Sequence, residues 1–213
     1  MMKSFLQVKP KKKSKEADIT QRFFDYDFHS ETRTVYLGEA TYTSEGSSMG
    51  IDPAVAKNFI KGLHILNSSS NQSIRVVMSS PGGSIFEGFA IYDAIRASPS
   101  PVDIEVLGQA LSMAAIILQA GRKRLLHPNA LFMMHEGYMD LGRLTPRAQQ
   151  SWAEWSRRDN TKMYEIFADR SGRTPKFWED LCLKEHDKIL SADKVVEYGL
   201  ADRVLLPAKW VKY

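Results

Sequence analysis

Ile74-Arg75-Val76-Val77-Met78-Ser79-Ser80-Pro81-Gly82-Gly83-Ser84 runs directly into Ile85-Phe86-Glu87-Gly88-Phe89-Ala90, and its reading decides the fold. Ile74–Met78 is short, apolar and β-branched, the signature of a buried strand. It ends in a Ser-Pro-Gly-Gly turn. Ser84 and Glu87 then stand in capping-box spacing, so a helix opens at once, with Phe86, Phe89, Ala90 and Ile95 as its expected inner face. Strand, tight turn and helix make one β-α unit.

Similar units lie on both sides. Upstream, Thr34–Leu37 reads as a short strand and Thr43–Gly50 as a Ser- and Gly-rich loop. Asp52-Pro53 is an N-cap followed by proline at the first helical position, opening a helix with Val55, Phe59, Ile60 and Leu63 on one stripe and a break at Asn67–Asn71. Downstream, strand Val102–Leu107 leads to an expected tight turn, Gly108-Gln109-Ala110, and to an apolar helix from Ser112 to Ala120 stopped by Gly121. Strand Ala130–Met134 ends at His135. Thr145-Pro146 opens a long helix to about Arg170, with Trp152, Trp155, Met163, Ile166 and Phe167 along one side. Thr174-Pro175 opens another helix, and a last one spans Ser191 to Gly199 before a strand near Ala201–Leu205. Alternation of strand and helix from residue 34 to 120 argues for an α/β fold of stacked β-α units with mainly parallel pairing.

The chain has 213 residues, 43% hydrophobic and 25% charged, a globular composition that suits one domain. No apolar run reaches the roughly 18 residues a membrane span needs, and no secretory signal follows the basic start. Cys182, the one cysteine, excludes an internal disulfide and fits a reducing, cytoplasmic setting. No Gly-rich turn or base frames it as a nucleophile. Residues 1–18 hold six lysines against Glu16 and Asp18, a net +4 that equals the charge of the whole chain. This arm reads as solvated and disordered, leaving 19–213 as a single balanced domain without a nucleic-acid signature. An acidic or phosphate-bearing surface is the partner such an arm would meet.

Active sites of α/β folds lie beyond the carboxyl ends of the strands. Two turns qualify there. Pro81-Gly82-Gly83 offers main-chain N–H groups, though alone it reads as an ordinary turn. Ser112 stands where a glycine turn meets a helix N-terminus, whose free N–H groups favour developing negative charge. It is a candidate nucleophile with the Met113 N–H facing an oxyanion; taken alone, it reads as a plain N-cap. His135, at a strand end, is a candidate general base. His29, His64 and His127 have blander settings. Asp187 precedes the Ser191-capped helix, where a carboxylate can receive an imidazole N–H, and His186 beside it competes for the role of base.

Together the pieces resemble the proteolytic-subunit family of the Clp protease. The matching segments are Ser79–Ser84, Gly88–Asp93, Gly108–Ala114, Met133–Glu136, Asp187–Ala192 and Glu197–Asp202, in order across Arg33 to Leu205. The resemblance implies a stacked β-α fold of the crotonase-like kind with a protruding handle helix, here the helix after Thr145. It implies a serine peptidase with Ser112 as nucleophile, His135 as base, Asp187 as the acid that orients it, and the N–H groups of Gly82 and Met113 as oxyanion hole. It further implies a heptameric ring, two such rings stacked through the handle helices, and an AAA+ unfoldase that alone uses ATP to deliver unfolded protein. No metal or cofactor is implied in the subunit itself, and none of the usual phosphate or metal spacings appears.

The chain departs from the family at several points. Ser79 stands where asparagine is usual, Leu111 where alanine is usual, and His135-Glu136-Gly137 lacks the proline that usually follows a His-Gln pair. The Gly-rich channel strand is reduced to Gly137 and Gly142, and the arm replaces the usual axial loops. The arm and the altered channel strand leave open a stand-alone or phage-type relative that processes one target such as a capsid protein. Retention of Ser112, His135 and Asp187 argues against a silent ring scaffold, and an acyl-CoA enzyme of the crotonase type would not need them.

Overall fold

The computed structural model of the chain describes residues 27–38, 50–137 and 142–206. The expected arm at 1–18 and most of the Thr43–Gly50 loop lie outside the described residues. In chain order the first elements are β1 (Phe28–His29), β2 (Thr34–Leu37), α1 (Pro53–Ser69), β3 (Ile74–Ser80) and α2 (Ile85–Arg96). Next come β4 (Val102–Leu111), α3 (Met113–Leu118), β5 (Lys123–Leu126) and β6 (Leu131–Met134). The long helix α4 (Pro146–Ser171) follows, then α5 (Pro175–Lys184), β7 (Lys188–Ser191), α6 (Ala192–Glu197) and β8 (Arg203–Val204).

Strands β2, β3, β4, β5 and β8 lie side by side in that order, each pair parallel. The expected stack of β-α units is therefore the architecture found. Helix starts follow the sequence signals closely. The Asp52 carboxylate accepts the Val55 N–H at 2.8 Å, and the Thr145 and Thr174 hydroxyls accept the N–H groups of Ala148 and Phe177, each with proline at the first position. One face of the sheet forms the core, where Val76, Met78, Ile104 and Val106 have no exposed surface, while Tyr36, Arg75 and Leu107 at alternate positions are exposed.

Four expectations need correction. First, Gly108-Gln109-Ala110 is not a turn that ends a strand. Strand β4 runs on to Leu111, and the register jumps from Met78↔Val106 to Ser80↔Ala110. Two extra residues are looped into β4 there, with Gly108 at φ +75°. Such a bulge bends the strand, and β4 changes neighbour across it, pairing with β5 before and β6 after.

Second, the inner face of α2 is Gly88, Ile91 and Ile95, while Ala90 is exposed and Phe86 is 60% exposed. Gly88 sets that rotation, since a Cβ there would stand 2.5 Å from the Met113 Cε. The Ser84 hydroxyl donates to the Glu87 carboxylate instead of capping the helix N–H groups. Third, α1 continues to Ser69, so the segment expected to break it is partly helical. Fourth, the stripe on α4 is buried only in its second half. Met163, Tyr164, Ile166, Phe167 and Ala168 pack inward, whereas Trp155 is 54% exposed. At 1.5 Å per residue this helix is about 39 Å long, and its first half extends beyond the core.

Candidate active site

Strand register brings the three candidate side chains together. Strands β4 and β6 are parallel with Leu111 opposite Met133, and the Ser112 N–H continues the ladder to the Met133 carbonyl at 2.9 Å. Residues just past both carboxyl ends are thus neighbours. Strand β7 returns antiparallel to β6 with Lys188 opposite Met134. One step further, Asp187 faces His135. Asp187 therefore precedes a strand rather than sitting in a plain linker, and that strand determines where its carboxylate goes.

The Ser112 Oγ lies 2.7 Å from the His135 Nε2. Ser112 occupies the position before α3 but makes no side-chain capping bond, and its backbone has φ +54°, ψ −123°. A non-glycine residue at positive φ is costly and persists only where its surroundings enforce it. The plain alternative, that Ser112 merely caps a helix, fails on this geometry: the hydroxyl is turned away from the helix and toward the imidazole. A strained strand-to-helix turn with an exposed hydroxyl is the recurrent way to present a serine nucleophile.

His135 is largely enclosed, its side chain 12% exposed, and burial pushes its pKa below the ordinary value. The Asp187 carboxylate opposes that shift, while charge on His186 adds to it. The Asp187 Oδ1 stands 3.8 Å from the His135 Nδ1, wider than a hydrogen bond, and the Asp187 side chain is 58% exposed. At this separation the carboxylate acts on the ring through its field.

The Pro81-Gly82-Gly83 turn packs against the same place. A Cβ on Gly82, at φ +92°, would meet the Ser112 Cβ at 2.6 Å and the Met113 nitrogen at 2.9 Å, so Gly82 and Met113 sit at the closest backbone approach. The Gly82 N–H donates to the Ser80 hydroxyl at 3.2 Å, a long bond that an oxyanion would have to replace. Gly83 is tied to Ile51, with the Ile51 N–H donating to the Gly82 carbonyl and the Ser84 N–H to the Ile51 carbonyl.

Beside Ser112 opens a pocket lined by Ile85, Ile116, Met134, Met163, Tyr164 and Phe167. Ser112, His135 and Gly137 also line it, so apolar side chains meet polar groups at its wall. Sequence reading missed Ile85 and Tyr164 as site residues, because nothing local marks them; only the fold brings α2 and α4 over Ser112. It also missed Asn160, whose carbonyl oxygen accepts the Gly137 N–H at 2.9 Å. A polar residue on the stripe of Met163, Tyr164 and Phe167 was the available signal.

The competing candidates separate cleanly. Cys182 is buried in α5, and burial pushes its thiol up to about 11, well away from a thiolate nucleophile. His186 is exposed, and the Ser112 hydroxyl pairs with His135 instead. His127 bonds Glu105 at 2.7 Å, and His29 bonds Thr32 at 2.9 Å. Among the described residues no group of side chains has the makings of a metal site, and no helix is long and apolar enough to cross a membrane.

A hydroxyl hydrogen-bonded to a largely enclosed imidazole, beside the close backbone approach of Gly82 and Met113, is equipment for acyl transfer by a serine-type hydrolase. A family model described as Clp protease matches residues 46–207. The chain is 34% identical over 184 residues to proteolytic subunit 2 of the ATP-dependent Clp protease of Streptomyces coelicolor, covering 84% of this chain and 78% of the relative. It is 33% identical over 184 residues to proteolytic subunit 4 from Streptomyces avermitilis, covering 84% and 75%. With the proteolytic subunit of Carsonella ruddii it shares 29% over 197 residues, covering 89% and 92%. The chain belongs to the Clp protease family and is a serine-type peptidase. Neither the family nor these names favour the processing, scaffold or acyl-CoA alternatives.

Proposed function

We propose that Ser112 is the nucleophile of this peptidase, His135 its general base, and Asp187 the carboxylate that stabilises the charged imidazole. The observation that carries this reading is the 2.7 Å contact between the Ser112 Oγ and the His135 Nε2 on a strained turn. Ser112 attacks the peptide carbonyl while its proton passes to His135. The N–H groups of Gly82 and Met113 receive the oxyanion, Gly82 exchanging its bond to Ser80 for the stronger charged acceptor. His135 then protonates the leaving amine, and water, deprotonated in turn by His135, releases the acyl group from Ser112.

The assembly belongs to the same proposal. The relatives are named as proteolytic subunits of an ATP-dependent protease, which supports rings of this chain supplied by a separate AAA+ unfoldase, with no cofactor in the subunit. The exposed first half of α4, bearing Trp152 and Trp155, supports stacking of two heptameric rings. Residues 19–213 would then form one cytoplasmic peptidase unit behind the basic arm.

Fluorophosphonate labelling tests the chemistry. One adduct on Ser112 is expected on the assembled protein, absent in Ser112→Ala, with peptide hydrolysis falling by about a millionfold as for other triad nucleophiles. Labelling elsewhere, or hydrolysis surviving in Ser112→Ala, sinks the assignment. Particle mass, read together with hydrolysis of short peptides and of a folded protein, tests the ring and its dependence on a partner.

A further inference from the structure

The ladder that holds β6 ends at Met134, opposite Lys188. His135 lies one residue beyond it, yet its ring has to stay within hydrogen-bond reach of Ser112. The next two residues are both held by α4. The Gly137 N–H donates to the Asn160 Oδ1 at 2.9 Å, and the Tyr164 hydroxyl donates to the Glu136 Oε1 at 3.2 Å. Residues four apart on a helix present their side chains one above the other, so the two bonds form a clamp one turn long. Upstream, the Met133 carbonyl is fixed by the Ser112 N–H. The histidine is thus bracketed on both sides.

We propose that Asn160 and Tyr164 are positioning residues that hold the His135 imidazole in line with Ser112 by clamping the chain immediately after it. The proposal rests on the reading of His135 as general base. Three further features support it. Tyr164 is buried beside Met163 and Phe167, so its hydroxyl has a fixed origin. Burial, with the Cys182 thiol and the Glu136 carboxylate nearby, raises the phenol pKa far above its ordinary value, keeping it a donor throughout the working range. Gly137 also lies against α2, since a Cβ there would stand 2.8 Å from the tip of the Ile85 side chain. Where a proline would limit the chain through its ring, Gly137 leaves φ free and supplies an N–H that proline lacks. Asn160 takes up that N–H and restores the restraint.

The test uses the assembled full-length protein, with particle mass and melting temperature measured on every variant. Asn160→Leu removes the acceptor at similar volume. It should lower kcat for a short peptide about 10- to 100-fold, the scale of a misplacement approaching 1 Å, with KM within about twofold. Fluorophosphonate labelling of Ser112 should slow in parallel. Asn160→Asp keeps an acceptor oxygen and should bring kcat back to within about threefold. Tyr164→Phe removes one hydroxyl and should cost about fivefold in kcat, the net worth of one hydrogen bond.

A wild-type kcat in Asn160→Leu, with His135→Ala inactive, overturns the clamp while leaving the base assignment standing. Full activity in His135→Ala overturns both. A rise in KM alone assigns these residues to the pocket and overturns positioning, as does an Asn160→Asp variant no better than Asn160→Leu. Should Asn160→Leu not assemble, Tyr164→Phe decides, and an unchanged kcat there overturns the proposal.

Discussion

Gly82→Ala is the substitution that most sharply probes the proposed oxyanion hole. Two costs arise from the backbone. Alanine at φ +92° bears a positive-φ penalty of about 1–2 kcal/mol. The added methyl would also lie 2.6 Å from the Leu111 carbonyl oxygen, 2.6 Å from the Ser112 Cβ and 2.9 Å from the Met113 nitrogen. Two of these three atoms are main chain and cannot swing aside, so an overpacking cost of about 1–3 kcal/mol is expected. Destabilisation of about 2–5 kcal/mol follows. Restoring ordinary contact at 3.4 Å from 2.6 Å requires the two turns to separate by about 0.8 Å. A shift of that size at a reacting centre costs about 100-fold, and losing one oxyanion donor costs about 100- to 1,000-fold. Hydrolysis of a short peptide, measured below the variant's melting point, should therefore show kcat down at least 100-fold. Gly172→Ala is the control. Gly172 has φ +72° and no heavy atom within 4 Å of an added Cβ, so it should lose about 1 kcal/mol of stability and no activity. If Gly82→Ala folds, assembles and keeps kcat within threefold of the parent, the close-approach argument and the oxyanion assignment of Gly82 are both wrong.

The remaining predictions concern the imidazole. Burial lowers the His135 pKa, and catalysis uses the neutral ring, so kcat/KM should rise with pH through a midpoint below the ordinary value of about 6.5. His186→Ala removes a charge that depresses that pKa, so the midpoint should move up; a downward shift in the pH profile refutes the electrostatic assignment. Asp187→Asn removes the opposing carboxylate, so the midpoint should move down. Because Asp187 stands 3.8 Å away and half exposed, kcat in Asp187→Asn should fall about 100-fold, not the roughly 10,000-fold seen where a buried aspartate locks the tautomer. A loss of the larger size shows that the carboxylate closes onto the Nδ1–H in the working enzyme.

What was legible in the sequence divides along a physical line. Helix starts were legible because Asp52-Pro53, Thr145-Pro146 and Thr174-Pro175 act locally: side chain and backbone meet within three residues. Burial on α2 and α4 was not, since it depends on what each helix meets. The inner face of α2 was assigned to Phe86, Phe89, Ala90 and Ile95, of which Ile95 is buried and Phe89 packs against the core, yet the residue that meets Met113 is Gly88. Strand β5 was hidden by Lys123 and Arg124. Arg124 is nonetheless buried, its guanidinium held by Asp202 at 2.6 Å and by the Gln119 side chain at 2.9 Å, partners 78 and 5 residues away.

The candidate site shows the same division inside one constellation. His135 could be picked out as the residue following an apolar strand, and Ser112 as the residue opening an apolar helix, because both signals are local, although the glycine turn expected before Ser112 is a bulge within β4. Asp187 could be assigned only by resemblance, because the reason it faces His135 is the antiparallel return of β7, and Lys188–Ser191 carries a weak strand signal with Ile189 exposed and Leu190 buried. The bulge at Gly108 completes the account. By looping two extra residues into β4 it releases that strand from β5 and pairs its last residues with β6, and that change of neighbour is what carries Ser112 beside His135. A glycine that reads in sequence as the end of a strand is instead the hinge that aims it.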